Sequence, residues 1–108
     1  MEIKEILNYE TMLTVLQKFP FKIKRIYYMR GFRPYDVRGK HSHKKTRQII
    51  VCLSGKFNLV LKDKIVYMNS NDYYLLEPQD YHEMRDFRGQ CRLLVLASEE
   101  YDESDYIR

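Results

Sequence analysis

The feature that most constrains this chain is a change of hydrophobic period at Pro20. Before it, Ile3, Ile6, Leu7, Met12, Leu13, Leu16 and Phe19 recur at near-helical spacing, and Pro20 closes that pattern. After it, β-branched and aromatic residues come in short runs with period two. Turn signals break the runs: Arg33-Pro34-Tyr35-Asp36, Ser54-Gly55-Lys56, Asn69-Ser70-Asn71-Asp72, Pro78-Gln79-Asp80 and Arg88-Gly89-Gln90. The spacing predicts a helical or mixed entry segment over 2–19. It predicts strands over 23–29, 40–43, 47–53, 56–61, 65–68, 73–76, 82–87 and 92–97. Many short strands at regular spacing fold as an all-β sandwich or barrel.

At 108 residues the chain has the size of one domain, spanning 1–108. Its 44% hydrophobic and 31% charged residues exclude a collagen-like or low-complexity polymer. The longest apolar runs, 49–53 and 93–97, are five residues each, against about 20 for a membrane-spanning helix. The opening Met1-Glu2-Ile3-Lys4-Glu5 mixes charges and no apolar stretch follows, unlike a signal peptide. Together these read as a cytoplasmic protein without membrane contact. Cys52 and Cys91 each sit in an apolar run, as buried reduced thiols do. Ten tyrosines and no tryptophan suit strands, and would give a barrel interior both apolar walls and hydroxyl donors.

Charge is unevenly placed. From Lys18 to Arg47 there are eleven Lys or Arg and one acid, Asp36, whereas Glu99, Glu100, Asp102, Glu103 and Asp105 crowd the end. The basic stretch attracts an anionic partner. No nucleic-acid-binding motif accompanies it, which leaves a phosphorylated small molecule as the better fit.

Within that stretch lies Gly39-Lys40-His41-Ser42-His43-Lys44-Lys45-Thr46-Arg47-Gln48. On a strand, the spacing of His41 and His43 puts both imidazoles on one face. The string resembles the first motif of cupins, small jelly-roll barrels: His-x-His, four residues, an acid, six residues and a Gly. Here Gln48 stands at the acid position and Gly55 at the glycine. Pro78 and His82 resemble a degraded second motif. A neutral amide is a poor replacement for a carboxylate ligand, so the reading is a site without metal.

A narrower resemblance covers most of the chain. It is carried by 20–28, by Arg38-Gly39-Lys40-His41-Ser42-His43-Lys44, by 82–87, by 93–98, and by Tyr101-Asp102-Glu103-Ser104-Asp105-Tyr106-Ile107-Arg108. These segments resemble the sugar-nucleotide 3,4-ketoisomerases, bacterial cupins acting on dTDP-4-dehydro-6-deoxyglucose. The resemblance implies a cupin-type jelly-roll β-barrel with a short N-terminal segment. It implies a cytoplasmic homodimer that uses no cofactor. The product would feed dTDP-3-amino-3,6-dideoxyhexose synthesis for lipopolysaccharide or S-layer glycan.

Moving a ketone from C4 to C3 takes a proton from C3 and places one on C4, through an enediol. A neutral imidazole, with a reference pKa near 6.5, suits that task at neutral pH. The resemblance implies His41 as the base, His43 as its orienting or assisting partner, and Tyr27 as the hydroxyl passing a proton between the two sugar oxygens. Tyr28 is the neighbouring alternative to Tyr27. Arg25 and Arg38 would hold the diphosphate, since guanidinium forks match phosphate oxygens. Gln48 would bond a sugar hydroxyl, and His82 would line the pocket opposite the His pair. A histidine at the position of His82 goes with the galacto-configured product.

The chain departs from the family pattern in places. Asn8-Tyr9-Glu10-Thr11-Met12 stands where an Asp-x-Arg-Gly segment is usual, and Lys62-Asp63-Lys64 shortens a hairpin. Tyr81 replaces a frequent Trp, and relatives usually continue beyond Arg108. Two other readings therefore stand beside the first: a non-catalytic cupin that binds a sugar nucleotide, and a metal-dependent cupin enzyme.

Overall fold

Two long strands carry the architecture. The computed structural model describes residues 19–108. Over them run β1 (Arg25–Met29), β2 (Arg38–His43), β3 (Gln48–Leu61), β4 (Ile65–Asn69), β5 (Tyr73–Leu76), β6 (His82–Ala97), a 3₁₀ turn (Glu103–Asp105) and β7 (Tyr106–Ile107). β3 pairs antiparallel with β6 along its whole length, from Gln48↔Ala97 to Leu61↔His82. The first half of β3 also takes β5 on its free side, and the second half takes β4. β6 takes β2 beside its first half and β1 beside its second. β7 closes the row against β2.

The result is two antiparallel sheets sharing two bent strands, the jelly-roll arrangement expected. Side chains facing inward from both halves meet in one core: Ile50 and Cys52 with Phe57 and Leu59 on β3, and Met84 and Phe87 with Leu93 and Val95 on β6. The inward set changes from even to odd positions along β3. A strand alternates strictly, so the ladder must slip, and its register shifts between Cys52 and Asn58. Each of these buried side chains contributes roughly 1.5–3 kcal/mol of transfer free energy.

Two expectations are corrected here. The strands read as 47–53 and 56–61 are one strand, as are those read as 82–87 and 92–97. Ser54-Gly55-Lys56 and Arg88-Gly89-Gln90 are not chain reversals. They are facing bends, with Gly55 at φ 68, Gly89 at φ 66 and Gln90 at φ 54. A glycine that relieves a strained bend and one that makes a turn leave the same local signature. The β7 pairing was not foreseen. The entry segment read over 2–19 lies outside the described residues apart from Phe19.

Cys52 and Cys91 are both buried and unbridged, as expected. Tyr35, Tyr67 and Tyr101 point to solvent, whereas Tyr27 and Tyr74 pack against the core. Among the described residues no helix is long and apolar enough to cross a membrane.

Gly55 is the steric hinge of this design. A Cβ there would lie 2.4 Å from the Arg88 carbonyl oxygen and 2.8 Å from the Cys91 Cα. Gly31 has a similar φ of 76 but nothing within 4 Å. Gly31→Ala is expected to cost about 1–2 kcal/mol of left-handed strain, and Gly55→Ala about 3 kcal/mol or more because backbone must move as well. Urea midpoints of the two variants measure the difference.

Candidate active site

The site forms where the two sheets end opposite the Gly55 bend. β2 supplies His41 and His43, which the i, i+2 spacing places on one face as predicted. Their ring centroids are 4.9 Å apart. β6 opens with His82, 4.8 Å from His41 and 6.0 Å from His43. Gly39, at φ 86, allows the approach: a Cβ there would meet the His82 carbonyl oxygen at 3.0 Å. The facing sheet brings Arg25 and Tyr27 on β1 and Gln48 at the start of β3. The Gln48 amide Nε2 donates to the Tyr27 hydroxyl at 3.4 Å.

The C-terminal segment completes the cluster. β7 pairs His43 with Tyr106, and the Tyr106 ring lies 4.8 Å from His41 and 4.6 Å from His43. The preceding turn carries Asp105, 4% exposed. Its carboxylate accepts from His43 Nδ1 at 3.1 Å, from the backbone N–H of Lys45 at 2.8 Å, and from the Thr46 hydroxyl. Sequence reasoning missed Asp105, Thr46 and Tyr106. The signal was present in the Tyr101–Arg108 string, but the acids there read as a solvated tail.

Burial sets the electrostatics. It pushes His41 down to about 4, helped by neighbouring His43. It pushes His82 down to about 4 as well, helped by His41. His43 is lowered by burial, partly offset by Asp105. All three imidazoles are therefore neutral at pH 7, as proton acceptors must be. Burial raises Tyr27, against the pull of the Arg25 cation, so it keeps its hydroxyl proton. For Asp105, burial works upward but the bonds from Thr46, Lys45 and His43 outweigh it, and the carboxyl stays below its usual range.

Among the described residues, two buried side-chain atoms have no hydrogen-bond partner: Arg25 Nε and His43 Nε2. The Arg25 guanidinium lies over the Tyr27 ring at 5.4 Å and the Tyr101 ring at 5.7 Å. Arg38 differs: it is exposed, and its guanidinium packs on Phe32 at 5.9 Å rather than on the cluster. Ligand nitrogens of His41, His43 and His82 lie within 4.8 Å of one another, close enough to share one divalent cation. Gln48, at the position where a carboxylate ligand would stand, has its amide on Tyr27. Next to Tyr81, a cavity of about 650 Å³ is lined by Leu61, Tyr74, Gln79 and Tyr81 with both signs of charge, Lys62 and Lys64 against Asp63 and Asp80.

Comparison with known proteins agrees with this geometry. Residues 1–108 match the family described as FdtA: WxcM-like, C-terminal. The TDP-4-oxo-6-deoxy-alpha-D-glucose-3,4-oxoisomerase of Aneurinibacillus thermoaerophilus is 38% identical over 97% of this chain and 81% of its own. A 3,4-ketoisomerase from Helicobacter canadensis superposes with a TM-score of 0.79 at 39% identity, over 86% of this chain and 74% of the other. The 3,4-ketoisomerase QdtA of Thermoanaerobacterium thermosaccharolyticum was solved as a histidine-to-asparagine mutant with TDP-4-keto-6-deoxyglucose. It gives a TM-score of 0.76 at 45% identity, over 86% of this chain and 71% of its own.

The depressed imidazoles make stability depend on pH. Between the unfolded value near 6.5 and the folded value of about 4, the unfolded chain binds more protons at His41 and His82. Stability should therefore fall as pH drops from 6.5 to 4, by on the order of 3 kcal/mol for a fully buried imidazole. Urea midpoints at pH 7 and pH 5 test this. His82→Asn should flatten the slope.

Proposed function

The chain belongs to the FdtA family, and from that membership we propose that it is a TDP-4-keto-6-deoxyglucose 3,4-ketoisomerase, an intramolecular oxidoreductase. The observation that supports the mechanism is the gathering of the His41, His43 and His82 rings, with the Tyr27 hydroxyl held by Gln48 on the facing sheet. The C3–H bond breaks and its proton passes to an imidazole. An enediol forms, and a proton is delivered to C4. The tyrosine hydroxyl moves a proton from the C3 oxygen to the C4 oxygen. The ketone ends on C3, and no external oxidant or reductant is required.

Within the His pair, family resemblance assigns proton abstraction to His41 and assistance to His43. The Asp105 carboxylate on His43 supports the reverse division, because a carboxylate-bound imidazole is the more basic of two neighbours. His82 closes the other side of the sugar site, and a histidine there accords with a galacto-configured product. Gln48 holds Tyr27 and faces a sugar hydroxyl. Arg25 receives the diphosphate: an unpartnered buried guanidinium nitrogen between two tyrosines is a ready anion site. Arg38 stands far enough out to meet only the nucleotide side of the ligand.

We also propose a cytoplasmic homodimer. Among the described residues β1 pairs with β6 alone, and its Ile26 and Tyr28 are 56% and 48% exposed. Open edges with apolar side chains favour pairing with another copy.

Proton NMR of TDP-4-keto-6-deoxyglucose in deuterated water, with chelator-treated protein, tests the reaction. The expected result is the 3-keto product with deuterium at C4, the C4 coupling reporting the epimer. Tyr27→Phe should lower kcat roughly 100-fold or more while TDP still binds. Binding without turnover would favour the non-catalytic reading, and turnover restored only by added metal would favour the metal-dependent one. Sedimentation should give twice the 13.2 kDa chain mass.

A further inference from the structure

The Tyr101–Arg108 string delivers a buried carboxylate to the strand that carries His41 and His43. The turn bearing Asp105 is tied down twice through its backbone. Lys44 N–H donates to the Asp105 carbonyl at 2.8 Å, and Asp105 N–H to the Asp102 carbonyl at 3.0 Å. Its side chain divides its two oxygens. Oδ1 takes the Lys45 N–H, while Oδ2 takes His43 Nδ1 and the Thr46 hydroxyl. On the other side of the imidazole, His43 Nε2 is buried and has no partner among the described residues.

We propose that Asp105 is a positioning residue that holds His43 as the tautomer with hydrogen on Nδ1, leaving the Nε2 lone pair free to accept the substrate proton. This rests on the ketoisomerase reading and deepens it. A carboxylate only accepts, so the hydrogen between Asp105 and His43 must sit on Nδ1. Every other donor on Asp105 comes from the loop immediately after β2, so the same contact fixes the ring's orientation. The C-terminal segment is thereby part of the machinery, although none of it needs to touch the sugar. The arrangement has the logic of an acid–imidazole pair in acyl transfer, where the carboxylate selects the tautomer and stabilises the charged ring.

Asp105→Asn tests this at nearly constant size. The Lys45 N–H can only be met by the amide oxygen, so the amide NH₂ must take the place of Oδ2. It would then donate to His43 Nδ1 and drive the ring hydrogen to Nε2. The expected result is a fall in kcat of roughly 100-fold or more, with KM and TDP affinity within about threefold. Nitrogen-15 NMR of histidine-labelled protein should show His43 with hydrogen on Nδ1 in the wild type and on Nε2 in the variant. Retained kcat, a parallel loss of TDP affinity, or a wild-type His43 with hydrogen on Nε2 would each overturn the proposal. If the variant does not fold, the wild-type tautomer alone decides. Should the wild type not turn over TDP-4-keto-6-deoxyglucose at all, the ketoisomerase reading falls, while the tautomer measurement still judges the role of Asp105.

Discussion

The structure depends on the antiparallel pairing of β3 with β6. Among the described residues, every other strand except β7 joins one half or the other of this ribbon, and β7 hangs on β2. A ribbon that long would stay open unless both strands bent at the same place. The backbone at Gly55 passes so close to Arg88, Gly89 and Cys91 that no side chain fits. The bend folds the ribbon onto itself, turns one strand pair into two facing layers, and encloses the core between them. It also decides where chemistry can occur. The ends far from the bend belong to different sheets but face one another there, so β1 and β3 meet β2 and β6 across one opening.

That opening gathers polar groups a core would normally exclude. Leaving such groups in low dielectric costs stability unless each is paired. Asp105 is fully served by its three donors. The imidazoles respond by staying neutral. Arg25 packs on two aromatic faces, and its Nε has no partner among the described residues. The two unsatisfied atoms, on Arg25 and His43, are a cation donor and a neutral acceptor. Their complements would be an anionic oxygen for the first and a hydrogen donor for the second.

Much of this was legible in the sequence, and the rest was lost for definable reasons. Period two after Pro20 located the strands well: 73–76 was read without error, and 65–68 ended one residue short of β4. The His41 and His43 spacing placed two rings on one face, and resemblance added His82, Tyr27, Arg25 and Gln48, all of which converge. The joins within β3 and β6 were misread because glycine marks backbone freedom, not chain direction. Asp105 was missed because a local window of Glu99–Asp105 is charged, and charge runs usually face water. Its burial is decided by β7 pairing with a strand sixty residues earlier in the chain, between His43 and Tyr106. No local pattern reports a contact of that range. Arg38 stands apart from that convergence for a related reason: the slip in register between Gly39 and His41 separates it from the face that carries the rings.

Gln48 explains how these electrostatics stay compatible. Its position is the one where a metal-binding cupin-like motif would have an acid. A carboxylate there would sit against Tyr27 and raise its hydroxyl further, on top of the upward push of burial. It would also favour protonated imidazoles nearby, filling the lone pairs that the reaction needs. It would also set a negative charge near the Arg25 cation, since both residues contact Tyr27. A neutral amide does none of this. It donates one hydrogen bond to Tyr27, adds no charge, and leaves Arg25 as the local cation that opposes the burial of the tyrosine. One oxygen exchanged for one nitrogen thus removes a negative charge from beside Tyr27 and leaves its hydroxyl with a hydrogen-bond donor as its neighbour.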